Sequence, residues 1–461
     1  MSAKAAIAVD IQHGERSSLT SDFCWTFVGN AVYAAGQFLT LMLLTKLVRP
    51  QLVGQYALGL AVVYPVMMFT NLQLRSVLTS GSRQHIHFSN YLGLRVLTTS
   101  LAFVIIFAVA QILGYDRELT IVVLMVGLAY AIETFSDVYY ARLQWHDRMA
   151  EISKSMIARA LLTVLGLAVA TYLTRSLLWG ITSIVLARGV VLFAYDVRVG
   201  SQALSGRPKC SSRDDALECR FDRKELLELF WVSLPLGIVV LLGCLNSSLP
   251  DLFVMHALGE RKVGIFAAIG FVVSAGNMVV LSLGQAAFTR LARSSAAGNL
   301  TAFHSLLAKL VASGAALGVI GMIVSKIAGR EILTLLFRPE YAERADLLPW
   351  MMAAGGVLFM AESLGYGLTA ANFYRSQVVL NVVANVCLVA ACYWLVQRQG
   401  LLGAILAMLI GAIVQFAASV VVLLVGMSGH AKGVRQAAGR QDAYSRNPVP
   451  SGHRPTLNLG D

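Results

Sequence analysis

Several charged side chains of this chain fall inside long apolar runs, where a charge is costly unless it is paired or hydrated. Glu133 and Asp137 lie one turn apart on one face of the same run, with Arg142 following. Arg159, Arg188, Lys309 and Glu362 interrupt other runs. Two chemistries fit the first cluster. Glu133, Asp137, Arg159 and Arg188 could line a cavity and hold a substrate or a coupling ion. They could equally pair with one another and pin neighbouring helices together. A guanidinium at mid-membrane, as at Arg188, suits bidentate phosphate binding. Glu362 has no partner within its own run, so it is a candidate proton carrier or a hydrogen-bond partner of an adjacent helix.

Amides form a second set. Asn30, Tyr33, Gln37 and Thr40 recur at three- and four-residue spacing and share one helix face. Such a stripe should face protein or a wet cavity, because an unpaired amide in hydrocarbon is costly. Asn277 and Gln285, and Asn381 and Asn385, make further polar faces, which interhelical hydrogen bonding explains as well as ligand contact does. Arg75 and Arg290 close the second and eighth runs. They could attract an anionic head group into a cavity mouth, or sit among lipid phosphates. The candidate substrate contacts are therefore Asn30, Gln37, Arg75, Arg188, Asn277, Gln285 and Arg290. The candidates for ion coupling or helix pairing are Glu133, Asp137 and Glu362. His85 and His87 form an HxH pair with no third ligand nearby, so no metal site is expected. There is no nucleotide-binding loop, zinc motif or G-x-S-x-G nucleophile. No cofactor and no enzymatic activity are expected, and nucleotide hydrolysis on this chain cannot drive its work.

These residues need long apolar helices to carry them. The chain is 57% hydrophobic and 13% charged, about half the charge of a usual soluble domain. Twelve runs can be drawn, at about 22–48, 53–74, 91–114, 119–144, 153–174, 177–199, 227–250, 262–288, 303–326, 346–370, 374–396 and 401–426, each long enough to span a bilayer. The expected fold is an all-α membrane protein with twelve transmembrane helices in two six-helix bundles around a central cavity. Residues 1–20 form a polar N-terminal segment with no signal-type apolar core. The bundles occupy 21–200 and 226–428, with a linker at 201–225 and a basic tail at 429–461 expected to be disordered. The net charge of +12 is spread over the connections, which points to membrane topology and not to nucleic acid. One set of connections is about twice as rich in Lys and Arg as the other, which places it, and both termini, in the cytoplasm. The six cysteines show no metal-type spacing.

The halves echo each other. Val53-Gly54-Gln55-Tyr56-Ala57-Leu58-Gly59 has a counterpart in Val263-Gly264-Ile265-Phe266-Ala267-Ala268-Ile269-Gly270. Each follows a Trp, Trp25 or Trp231, by one spanning helix and a loop. Leu178-Trp179-Gly180 pairs more weakly with Leu401-Leu402-Gly403. Two halves of like design are a transporter signature.

Four stretches carry a family resemblance. They are Leu44-Thr45-Lys46-Leu47-Val48-Arg49-Pro50-Gln51-Leu52-Val53-Gly54-Gln55-Tyr56-Ala57, then Asp137-Val138-Tyr139-Tyr140-Ala141-Arg142-Leu143-Gln144-Trp145 with His146-Asp147-Arg148-Met149, then Ser233-Leu234-Pro235-Leu236-Gly237-Ile238, and Leu258-Gly259 with Val263-Gly264-Ile265-Phe266-Ala267. In order and spacing the chain resembles the polysaccharide-biosynthesis flippases of the multidrug/oligosaccharidyl-lipid/polysaccharide exporter superfamily. The resemblance implies alternating access through a cavity lined by helices one, two, seven and eight. It implies a polyprenyl-diphosphate-linked oligosaccharide as cargo, moved from the inner to the outer leaflet of a bacterial inner membrane for surface polysaccharide. Membrane lipids, a polysaccharide polymerase and glycosyltransferases would be its partners. The alternatives are a cation-coupled drug exporter of the same superfamily and, ranked lower because the outward connections are short, a membrane polymerase or ligase of lipid-linked sugars.

Overall fold

A computed structural model describes residues 19–79, 88–146, 148–202, 221–371 and 373–446. The HxH pair, Cys210 and Cys219, and most of the expected linker lie outside these residues. Within them the chain is helical and has no strand, and twelve helices are long and apolar enough to cross a membrane. They are α1 (Leu19–Leu47), α2 (Pro50–Asn71), α3 (Phe88–Ile112), α4 (Arg117–Trp145), α5 (Met149–Thr174), α6 (Leu177–Val191), α7 (Arg223–Leu258), α8 (Glu260–Ala296), α9 (Leu300–Leu336), α10 (Leu348–Ala370), α11 (Tyr374–Gln399) and α12 (Leu401–Arg446). Local chemistry sets several of the boundaries. Pro50 opens α2 where its missing N–H costs nothing. Asp116 caps α4 by accepting the Leu119 N–H at 2.9 Å. Arg175 and Gly400 close α5 and α11 with positive φ.

The packing repeats. In the first half α1 packs on α5, α5 on α6, α6 on α4, α4 on α2, and α3 on both α2 and α4. Adding six to each number gives the packing of the second half. The result is two equivalent six-helix lobes, and with an even number of spans the start of α1 and the end of α12 lie on one face of the bundle. Between the lobes α2 packs along α7 and α8, whereas α1 meets α8 only briefly, as at the Phe38–Phe271 ring contact of 5.3 Å. Toward the face opposite the chain ends, one hydrophobic cluster runs through both lobes. Toward the end-bearing face the core divides. One cluster joins the first lobe to the start of α7, and another lies wholly in the second lobe. The lobes are thus fused at the far face and parted below it on the α1–α8 side.

Three features depart from the sequence reading. The α2 run breaks after Asn71, where Leu72 and Gln73 take φ of 52° and 50° before a short helix Leu74–Thr79. α7 continues through Pro235 and Pro250 to Leu258, eight residues past the end of the run drawn from hydropathy. α12 runs to Arg446, so 429–446 is helical where a disordered tail was expected. The alanines, glutamines and basic residues there are adequate helix formers joined to an existing helix, so no new nucleus is needed.

Candidate functional site

A chamber of about 480 Å³ lies between the lobes. α1 contributes Gln37 and Thr40, α2 Tyr56, α7 Asn246 and Asp251, and α8 Ser274 and Asn277. α10, α11 and α12 add Glu362, Asn381 and Gln415. Helices one, two, seven and eight line it as the resemblance implies, but the chamber reaches further, into the second lobe. Among the described residues, no lysine or arginine lines it. Its polar wall is therefore amide, hydroxyl and carboxylate.

The wall is only partly self-satisfied. Asn246 Nδ2 donates to Gln415 Oε1 at 3.0 Å, tying α7 to α12. Pro250 has no N–H for the carbonyl of Asn246, which frees an acceptor one turn before Asp251. Glu362 and Asn277 are neighbours, yet Glu362 Oε2 and Asn277 Oδ1 are buried with no hydrogen-bond partner. Unsatisfied buried acceptors cost free energy. A ligand that brings donors, such as a polyol or a cation, would relieve them.

The guanidinium groups of Arg75, Arg159 and Arg188, all in the first lobe, are paired. Arg188 NH1 donates to Glu133 Oε2 at 2.6 Å and to the Ala129 carbonyl at 3.1 Å. Arg159 NH2 donates to Asp196 Oδ2 and to the Tyr140 hydroxyl at 3.1 and 2.9 Å, with Asp196 fully buried. Arg75 reaches Asp137 at 3.2 Å and Gln144 at 2.8 Å. These contacts join α4 to α6, α5 to the turn after α6, and the segment after α2 to α4. Glu133 and Asp137, coupling or pairing candidates on sequence, thus each hold an arginine. One thread leads from this network to the chamber. Gln37 donates to the Tyr33 hydroxyl at 2.9 Å, and Tyr33 donates to Glu133.

The remaining candidates are placed as follows. Gln37 and Asn277 line the chamber, with Glu362 beside Asn277. Asn30 is exposed on α1 and bonds back to the Thr26 carbonyl at 2.9 Å. Gln285 and Arg290 are exposed on α8, outside the chamber. Arg75 and Arg188 are in the first-lobe network. The reading of the residues did not single out Asp251, Asn246, Gln415 or Asp196. Asp251 stood just past the drawn end of run seven. Asp196 was an unremarked charge at the end of run six, and only the wide π-helical turn Leu192–Asp196 seats it against Arg159.

Residues 19–295 match the polysaccharide biosynthesis protein family. The chain belongs to that family. The capsular polysaccharide biosynthesis protein CapF of Staphylococcus aureus is 25% identical over 400 residues, covering 86% of this chain and 97% of CapF. Among solved structures, an inward-facing multidrug resistance MATE transporter superposes with a TM-score of 0.66 at 13% identity, covering 89% of this chain and 99% of that one. The lipid II flippase MurJ, in an inward closed conformation, gives 0.67 at 10% identity, covering 87% of each chain. At these identities the likeness establishes the two-lobe fold. This member of the polysaccharide biosynthesis family is a multi-pass membrane protein, and the two solved structures that share its fold are a transporter and a flippase.

Proposed function

We propose that the chain is a flippase for polyprenyl-diphosphate-linked oligosaccharide repeats. It would carry them by alternating access from the cytoplasmic to the outer leaflet of a bacterial inner membrane, for surface polysaccharide. The observation that carries this reading is the chamber, whose amides, hydroxyls and carboxylates match the donors and acceptors of sugar hydroxyls. The slack contact between α1 and α8 supports it, because a lipid tail could stay in the bilayer there while the sugars enter. The CapF and MurJ likenesses point to the same class of cargo. The Lys and Arg asymmetry supports an end-bearing face on the cytoplasmic side. The two lobes, 21–200 and 226–428, would rock about the α2–α7 seam, and a polymerase and glycosyltransferases would act before and after.

The test is deletion with complementation. Loss of the gene should stop polymer from reaching the surface while lipid-linked repeats accumulate. The wild-type chain should reverse both, and a variant with Asn246→Ala and Asn277→Ala should not. Full surface polymer from that variant at wild-type protein levels would refute the chamber as the cargo site.

A second reading is kept because of the unpaired acceptors of Glu362 and Asn277. A cation-coupled exporter would use such a pair to hold its ion. Drug sensitivity on deletion, with surface polymer intact, would favour it.

A further inference from the structure

The far face carries a cleft unlike the chamber. About 680 Å³ in size, it is lined by Arg49, Arg175, Arg338, Gln51 and the apolar Leu47, Val48 and Leu52. The three arginines come from three separate connections, α1–α2, α5–α6 and α9–α10. Arg49 and Arg175 belong to the first lobe and Arg338 to the second. No carboxylate lines the cleft. Of the far-face acids, Asp116 and Glu260 line a different pocket beside His256, Glu331 and Asp346 line another, and Glu340 stands two residues from Arg338 but does not line the cleft. Arg338 Nε donates to the Lys46 carbonyl at 2.9 Å, across the seam between lobes, and so holds the second-lobe side of the cleft in place. Arg175 stands 5.7 Å over the Tyr172 ring. Arg49 precedes α2 without capping it through its side chain.

Three guanidinium groups around one cleft repel each other unless an anion sits between them. Their planar forks match phosphate oxygens bidentately. The spans end within three residues of each arginine, at Leu47, Thr174 and Leu336, so the cleft lies at head-group depth. We propose that this cleft is a binding site for a lipid-borne phosphate of the far leaflet, held jointly by Arg49, Arg175 and Arg338 across the seam between lobes. A phospholipid head group and the diphosphate of a polyprenyl carrier share that chemistry. Since the site draws on both lobes, its ligand binds best when the far face is closed and biases the protein toward that state. The proposal stands whatever sugar the chamber takes.

The experiment uses the purified full chain and reads its thermal unfolding midpoint, which a bound ligand raises. Three probes are compared: millimolar inorganic pyrophosphate in detergent, nanodiscs with phosphatidylglycerol, and nanodiscs with polyprenyl diphosphate, the last two against pure phosphatidylcholine. At least one probe should raise the midpoint by several degrees. The rise should vanish in the double variant Arg49→Gln with Arg175→Gln, which keeps the Arg338–Lys46 bond. It should persist in Arg117→Gln with Arg398→Gln, which removes the same charge from the same face outside the cleft. Arg175→Gln alone, at the exposed residue that closes α5, should lose part of the rise. A response to phosphatidylglycerol alone assigns a head group. A response to polyprenyl diphosphate alone, or with pyrophosphate, assigns the carrier diphosphate, and a response to all three assigns the phosphate group as such. No rise with any probe, or equal loss in the two double variants, overturns the site.

Discussion

Arg188 and Glu133 show what a charge at membrane depth does when it has a partner. Each alone would be an uncompensated buried ion, and together they fasten α6 to α4. Glu133→Gln should therefore destabilise the chain by about 3 kcal/mol, in the range seen when one partner of a buried pair is removed. Adding Arg188→Met should recover much of that loss. Denaturant unfolding in detergent of the two singles and the double checks it, and a double variant as unstable as the sum of the singles would contradict the pairing. The chamber residues predict the opposite pattern. Asp251→Asn and Glu362→Gln should leave the unfolding midpoint nearly unchanged, because neither side chain has an ion-pair partner among the described residues, yet reduce surface polymer at least tenfold. At this scale the sequence revealed which residues were out of place but not where their partners lay. Glu133 and Arg188 are 55 positions apart, and nothing in their spacing distinguishes pairing from ligand binding. Asp251 was hidden by Pro250, which reads as the end of a helix but here lies within one. Transmembrane helices tolerate proline when neighbouring groups satisfy the freed carbonyl.

The repeated Val-Gly stretches acquire a use at the level of elements. Gly54 of α2 and Gly264 of α8 meet where the lobes are fused. A Cβ on Gly54 would come 2.0 Å from the Glu260 carbonyl oxygen, and one on Gly264 would come 2.3 Å from that of Pro50. Backbone against backbone leaves no room for even a methyl group. Gln55 adds hydrogen bonds to the Glu260 carboxylate at 3.2 and 3.3 Å. Gly264→Val should therefore keep the far face from closing. Spin labels at Gln51 and Arg261, both exposed beside the seam, should report a longer distance in the variant than in the parent. An unchanged distance distribution would show that the seam can accommodate the side chain. The echo itself was legible in the sequence, but that its two copies touch was not. The break after Asn71 left no mark at all. Neither Leu72 nor Gln73 is a residue that favours positive φ, and the conformation is held from outside, with Arg95 NH2 donating to Asn71 Oδ1 at 2.7 Å. That break lets Arg75 turn back onto Asp137 and Gln144.

For the molecule as a whole, hydropathy was enough to draw the spans. Twelve runs became twelve helices, and the halves repeat each other's packing helix for helix. Where the lobes part was not legible, since it depends on which helices meet across the seam: α2 on α7 and α8 closely, α1 on α8 barely. The division of labour that results is simple. The buried charges Arg159, Asp196, Arg188 and Glu133 of the first lobe pair with one another, and the chamber keeps its acceptors for a guest. The central claim is that this chamber carries the lipid-linked sugar between leaflets. The most direct measurement places the purified chain in liposomes with a lipid-linked oligosaccharide on one leaflet and follows its appearance on the other with an impermeant sugar-binding probe. The wild-type chain should speed that appearance, Asn246→Ala with Asn277→Ala should abolish the gain, and Glu133→Leu with Arg188→Met should retain most of it. Equal transfer by the wild type and the chamber variant would contradict the account.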